Sequence, residues 1–449
     1  MACLLKVTGM SEEAAARHFI TAAFDAWQRA GIPFVVLRNY EKLPQATTND
    51  IDVLVEPGQR RHAEQVLIRT AGECGYRLHL RAEYAPLALY FSVAKFQSQI
   101  HFDLFGGFSW RGIPYLDYQP FLQSKVPRET FFVPHPAHES ACSLFSSLVY
   151  TGKLKSKYQA SISANFAAHP KTTRILLAKH YGLNLAAQIV DAAIAGRWTE
   201  IESLTGTVRA AVVRRRFASC PLRALKEAVS DVKRLVHRFF HSPGRAVVLC
   251  GPDGCGKSTV GPALVDGLAR TFSPDKGAQF HWKPAVFSAQ RQATRGPATD
   301  PHSRPPRNAL VSVLYFAFHW LEFFLGWHLR VRPKLFRGGL VLIDRWYYDF
   351  FVDQRRYRLR VPKLLVRLGL TLLLKPDLVF LLDAPPEVLR QRKQEVPEAE
   401  TRRQREAYLN LVQTLPNGIV IDASQPPERV AGDICHKVLE RMAAQISKP

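Results

Sequence analysis

Cysteine is scarce and scattered in this chain. Seven occur among 449 residues (Cys3, Cys74, Cys142, Cys220, Cys250, Cys255 and Cys435), and no two stand in C-x-x-C spacing. That excludes a disulfide framework and a zinc finger or ribbon, and it predicts reduced, mostly buried thiols. Acidic residues are also short, 38 against 61 Lys and Arg, for a formal charge of +23. The excess predicts polyanionic company (nucleotides, nucleic acid or an acidic membrane face) without selecting among them. Met1 to Met10 lacks the long apolar stretch of a secretory signal, so the expected location is cytoplasmic, with a peripheral membrane position left open. No internal repeat is present, and the one low-complexity piece is Arg291 to Arg307.

The length and the 47 % hydrophobic content call for at least two domains, because single cores stop growing near about 250–300 residues. Residues 12–30 carry apolar positions at helical spacing (Ala16, Phe19, Ile20, Ala23, Phe24, Trp27), and Gly31-Ile32-Pro33 precedes the strand-like Phe34 to Leu37. Further strands are expected at Ile51 to Val55, Tyr76 to Leu80, Leu87 to Val93 and Ile100 to Phe105, with a helix from about Gln59 to Cys74. This predicts an α+β domain with a helical tail over 1–205. Between Arg209 and Arg245, Arg214, Arg215, Arg216, Arg223, Lys226, Lys233, Arg234 and Arg238 interleave with Leu222, Leu225, Val229, Val232, Leu235, Val236 and Phe239. A basic amphipathic linker helix is expected over 206–243, able to touch nucleic acid or an acidic membrane. From 244 to 449 strands alternate with helices, predicting an α/β fold whose parallel sheet has helices on both faces. Its strands are expected at Ala246 to Cys250, Leu340 to Ile343, Leu378 to Leu382 and Ile419 to Ile421.

The first of those strands runs into Gly251-Pro-Asp-Gly-Cys-Gly-Lys-Ser258, which satisfies G-x-x-x-x-G-K-[ST] and opens an apolar helix. Gly251, Gly254 and Gly256 let backbone amides turn toward phosphate oxygens, and Lys257 adds charge for the β and γ phosphates of ATP. The Ser258 hydroxyl suits Mg2+, and Thr259 completes the expected ATP-binding set. Asp344 ends an apolar strand, where a carboxylate orients magnesium waters, and Arg345 beside it suits a phosphate clamp; a solvated ion pair is the alternative.

The ordered set of this loop with its acid Asp253, Asp344-Arg345-Trp346, Lys375 to Glu387, Arg405-Glu-Ala-Tyr408-Leu and Val420-Ile-Asp422-Ala-Ser424 resembles the thymidylate kinase family of P-loop nucleoside monophosphate kinases. The resemblance covers the chain from about Arg245 onward. It implies that Asp253 lies near the acceptor sugar, that Asp344 and Arg345 hold the acceptor phosphate, and that Lys283 stands where such kinases keep a phosphate-binding arginine. It also implies a mobile lid over Arg390 to Arg405, in which Arg392 and Arg402 are singled out, and a homodimer, since relatives are often dimeric. The Arg-Glu-Pro and Gly-Gly-Thr segments of that family are absent, which leaves the acceptor open. Ala309 to Val331, rich in Phe, Tyr and Trp, is long enough to suggest a membrane span, but His319, Glu322 and His328 interrupt it, and a buried covering helix is expected.

In the amino-terminal half, Asn49-Asp50-Ile51-Asp52 sets two carboxylates on one face of a strand, and Asp103 supplies a third. Three such acids suit two metal ions. The pattern resembles the polymerase-β-type nucleotidyltransferase superfamily over about residues 15–110, although Leu37-Arg38-Asn39-Tyr40 replaces the usual Gly-Ser turn. Three readings follow. The first is an ATP- and Mg2+-dependent phosphotransferase acting on a nucleoside monophosphate or related acceptor, the second a nucleotidyltransferase acting on a sugar phosphate or polymer, and the third a non-enzymatic adaptor.

Overall fold

The computed structural model describes residues 11–45, 50–84, 86–93, 99–287, 305–394 and 396–446. Met1 to Met10 with Cys3, Asn49 and most of the low-complexity piece lie outside the described residues. Two compact units form, one running through His237 and taking in the last turn from Ala443, the other Arg238–Met442.

In the first unit Ser11 caps α1 (Glu12–Arg29) by accepting from the Ala14 amide, with Glu12 and Glu13 at the positive helix end. There follow β1 (Phe34–Val36), β2 (Ile51–Val55), α2 (Arg60–Glu73), β3 (Tyr76–Glu83), β4 (Leu87–Val93) and β5 (Gln99–Phe105). The sheet order is β1-β2-β5-β4-β3, antiparallel except between β2 and β5, whose register sets Asp52 opposite Asp103. Phe19, Phe24, Trp27, Phe34, Phe91 and Phe102 fill the core between α1 and the sheet. After the β6 (Phe108–Trp110) and β7 (Ile113–Leu116) hairpin come α3 (Gln119–Gln123) and the short strands β8 (Val126–Pro127) and β9 (Phe132–Val133). A helical layer then runs through α4 (Pro136–Tyr150), α5 (Ser156–Ala168), α6 (Pro170–Tyr181), α7 (Leu183–Ile194) and α8 (Trp198–Ser203).

The single linker helix expected over 206–243 is two helices, α9 (Thr205–Ser219) and α10 (Pro221–Phe240). Pro221 cannot donate to the preceding turn, so the chain breaks at Cys220. Helix α9 buries Val208, Ala211 and Val212 in the helical core, which makes it part of the first unit.

The second unit is a five-stranded parallel sheet. Its elements are β10 (Arg245–Cys250), α11 (Lys257–Gly267), β11 (Ala278–His281), α12 (Ala309–Gly326), α13 (Arg332–Phe336), β12 (Leu340–Asp344), α14 (Asp349–Val352), α15 (Lys363–Thr371), β13 (Leu378–Asp383), α16 (Pro386–Arg392), α17 (Glu398–Gln413), β14 (Gly418–Asp422) and α18 (Pro427–Ile446). The order β11-β12-β10-β13-β14 puts β10 at the centre, flanked in parallel register by β12 and β13. One face, with Val248, Ile343 and Leu381, packs on Phe316, Phe323 and Trp327 and on Tyr408 and Val412 of α17. The other receives α11, whose Gly261 would set a Cβ 3.3 Å from Leu342.

Ala309–Phe336 is long and apolar enough to cross a membrane, at 28 residues and mean hydropathy 1.6, but 28 % of its most apolar window is buried. The expected buried helix is therefore buried on one face only, leaving Leu310, Leu314, Tyr315, Phe318 and Leu321 exposed. Its inward face holds a charge pair: Lys283 donates to Glu322, at 2 % and 0 % side-chain exposure. The second Glu322 oxygen accepts the Phe287 amide at 3.1 Å. Replacing Glu322 by Ala strands the ammonium in the core and should cost roughly 3–5 kcal/mol, read as a lower urea midpoint for the second unit; an unchanged midpoint would refute the pairing.

Candidate active site

The loop after β10 is shaped by glycine. Gly251, Gly254 and Gly256 hold φ of 144°, 84° and 94°, and a Cβ on Gly254 would stand 2.5 Å from the Leu389 carbonyl oxygen. Any side chain there forces the loop open. Lys257, buried at the start of α11, turns its Nζ inward, donating to the carbonyls of Gly251 (2.9 Å) and Pro252 (3.0 Å) and lying 3.3 Å from Cys255 Sγ. Ser258 and Thr259 are exposed in the same first turn, where the helix dipole is positive.

Asp344 ends β12 in register with Leu249 of β10. Its Oδ2 lies 3.0 Å from His281 Nδ1, while Oδ1 is buried without a hydrogen-bond partner among the described residues. Burial alone would lift this carboxyl, but His281, Lys257 and Arg345 hold it below the ordinary range. An ionised carboxylate with one oxygen unspent, ending the strand paired with the one that feeds the phosphate loop, is a donor that fits a magnesium ion.

Arg345 follows in the left-handed region, at φ 61°, its amide bonded to the Leu249 carbonyl at 2.9 Å. An arginine in that conformation is strained, and such outliers gather at functional sites. Its guanidinium lies between two carboxylates, donating to Asp253 through one nitrogen and to Asp349 through the other at 3.2 Å. Arg356 donates to the second Asp253 oxygen at 2.7 Å. Asp349 also accepts from Tyr357 and Tyr408, each at 2.7 Å. Burial works against the Asp253 charge, yet Arg345, Arg356 and Lys257 hold its carboxyl well below the usual range. Trp282 stacks on Tyr357 with ring centroids 4.3 Å apart, placing a flat aromatic surface next to Arg356 in sequence and space.

In the first unit the three expected carboxylates do not act alike. Asp50 and Asp103 grip opposite nitrogens of His101, at 2.6 Å from Nδ1 and 2.9 Å from Nε2, and Tyr90 stacks on that ring at 3.8 Å. Ligand atoms of Asp50, His101 and Asp103 lie within 4.8 Å of one another. Asp52 is instead buried against Arg38, whose Nε stands 2.5 Å from Oδ2. Asp52 is thus engaged by Arg38, and the side chain that joins Asp50 and Asp103 is His101.

A "Thymidylate kinase" of Synechococcus sp. (strain RCC307) is 32 % identical over 212 residues, spanning 44 % of this chain and 96 % of that protein. The chain belongs to the thymidylate kinase family. No protein-family profile matches it. Among solved structures, thymidylate kinase from Ehrlichia chaffeensis matches 42 % of this chain and 96 % of its own at 15 % identity and a TM-score of 0.31, which supports nothing further here.

Around this thymidylate kinase-like loop the fold brings Asp253, Lys257 and Ser258 of one stretch of sequence to Asp344 and Arg345 of another. Other expected residues are occupied elsewhere. Lys283, expected at an acceptor phosphate, is paired with the buried Glu322. Arg402 faces Glu387 and Glu398 on the surface, half exposed, and Arg392 donates to the carbonyls of Ala423 (2.8 Å) and Ser424 (3.4 Å). From the expected lid it is Arg405 that meets the end of a central strand, clasping Asp383 at 2.7 and 2.8 Å. Arg356, Asp349, Tyr357 and His281 were not legible as site residues; the only local sign was Asp349 one helical turn past Arg345. Arg356→Ala should lower acceptor-dependent ADP release by roughly a hundredfold and leave the melting temperature nearly unchanged; full activity in that variant would remove Arg356 from the site.

Proposed function

We propose that this chain is an ATP-dependent, magnesium-requiring kinase that transfers the γ-phosphoryl group to a nucleoside monophosphate or a closely related phosphorylated acceptor. The observation that carries this reading is the meeting of the Gly251–Ser258 loop with Asp344 and the Asp253–Arg345–Arg356 cluster at the carboxyl ends of β10 and β12, where doubly wound sheets place their ligands. Loop amides and Lys257 bind the donor phosphates. Ser258 and Asp344 would hold the magnesium, which when bound neutralises charge on the β and γ oxygens. Arg345 and Arg356 orient the acceptor phosphate in line, and the Trp282–Tyr357 stack offers a face for a planar base. Since Lys283 is spent on Glu322 and the Arg-Glu-Pro segment is absent, thymidylate is one candidate among several.

Lys257→Ala should reduce ATP turnover by about a hundredfold or more across a panel of dTMP, other nucleoside monophosphates and sugar phosphates. Failure of the unmodified protein to turn over ATP with any of them would sink the kinase reading.

A second activity in the first unit, nucleotidyl transfer, is favoured by the Asp50–His101–Asp103 constellation. Burial opposes a charge on His101, but hydrogen bonds to Asp103 and Asp50 outweigh it and lift the imidazole to about 9. Two carboxylates with a deprotonated imidazole form a mixed donor set open to a first-row divalent cation, for which Mn2+ serves as the probe. Mn2+ titrated calorimetrically into the full chain should bind with proton release, and the Asp50→Asn/Asp103→Asn variant should lose that heat; identical isotherms would dismiss the metal site.

A further inference from the structure

Helix α10 packs with its polar side inward. Glu227 accepts from Arg216 at 2.5 and 3.0 Å. Asp231 holds Arg234 at 2.6 Å, and Arg234 in turn donates to the Glu83 carbonyl at 3.0 Å. The Glu227 carbonyl oxygen comes so near Gly112 that a Cβ there would lie 2.5 Å away. Ala224 is the one buried residue of the helix.

The outward side is apolar. Leu222, Leu225, Val229, Val232 and Val236 are exposed by 83, 55, 45, 57 and 50 %. Their spacing alternates between three and four, so they form one strip along the helix. A surface helix of a globular domain ordinarily faces the other way. Single exposed leucines need no cause, whereas a contiguous strip of this kind marks a contact surface.

Charge narrows what that contact is. Lys226 and Lys233, both exposed, border the strip one position beyond Leu225 and Val232. Both carboxylates of the helix lie on the inward side, each engaged by an arginine. The outward surface is thus apolar and positive only. Pairing with a second copy along the same strip would set Lys226 and Lys233 against Pro221 and Ala228 in a parallel arrangement, or against each other in an antiparallel one. Neither offers the lysines a carboxylate. Nucleic acid would meet the lysines but has no use for the apolar strip between them. An anionic bilayer satisfies both features, taking the strip into the headgroup and acyl boundary and the lysines at its phosphates.

We propose that α10 is an interfacial helix that seats its apolar strip in an anionic lipid surface, holding the chain peripherally on a membrane. The test is sedimentation of the full-length protein with vesicles of phosphatidylglycerol mixed with phosphatidylcholine, and of phosphatidylcholine alone. Association with the mixed vesicles, weakened by salt, is expected. Leu225→Ser/Val229→Ser/Val232→Ser should weaken it by roughly tenfold or more, and Lys226→Glu/Lys233→Glu should weaken it on mixed vesicles alone. These positions are exposed, so circular dichroism and melting should stay as in the unmodified chain. The proposal is overturned if the unmodified protein ignores both vesicles, or if the triple serine variant binds as before. It is equally overturned if the triple serine change abolishes a dimer with no vesicle binding present, or if the chain prefers DNA or RNA to vesicles.

Discussion

Arg345 is a charge that the second unit is obliged to accommodate. A guanidinium taken out of water is tolerated only when paired and hydrogen-bonded throughout, and here the pairs come from the phosphate-binding loop (Asp253) and from the turn after β12 (Asp349). Asp349 in turn fixes the hydroxyls of Tyr357 and Tyr408, and Tyr408 lies on α17 against the sheet core. One cation thereby joins the loop, two strand ends and a covering helix. The left-handed backbone at Arg345 is the conformational cost of aiming it there.

The packing around that cluster shows the same economy with polar groups. Lys283 and Glu322 neutralise each other beneath α12, with Trp282 and Phe318 against the ammonium at 4.8 and 5.5 Å. A buried pair of this kind specifies position more than it stabilises. It fixes which side of α12 meets the sheet and so which leucines are left facing outward.

Much of the fold was readable because its signals are local. Ile51–Val55 and Leu87–Val93 stand where β-branched and apolar runs set them, and the five-residue to six-residue central strands of the parallel sheet begin and end within a residue or two of their apolar stretches. Strand β11, Ala278–His281, escaped notice because it is short, carries no β-branched residue and sits at a sheet edge. The phosphate loop was legible because G-x-x-x-x-G-K-[ST] ties chemistry to spacing. The contact of Asp253 with Arg356 was not, since the two meet across a long stretch of chain and nothing in either neighbourhood announces the other. Charge counting also misled: in a lid crowded with arginines, the carboxylate each one meets decides its role, and only the fold shows that Arg402 meets surface glutamates while Arg405 meets Asp383.

The cluster at Arg345 has a further property as a set of ionisable groups. Asp253 is held low, and Arg345, Arg356, Tyr357 and Tyr408 are all pushed upward; every shift carries a titration away from neutrality. These five groups therefore hold their charges steady through the physiological range. A phosphomonoester gives up its second proton near pH ~6, so a phosphate meeting this cluster would carry the proton exchange near neutrality itself, against a fixed electrostatic mould.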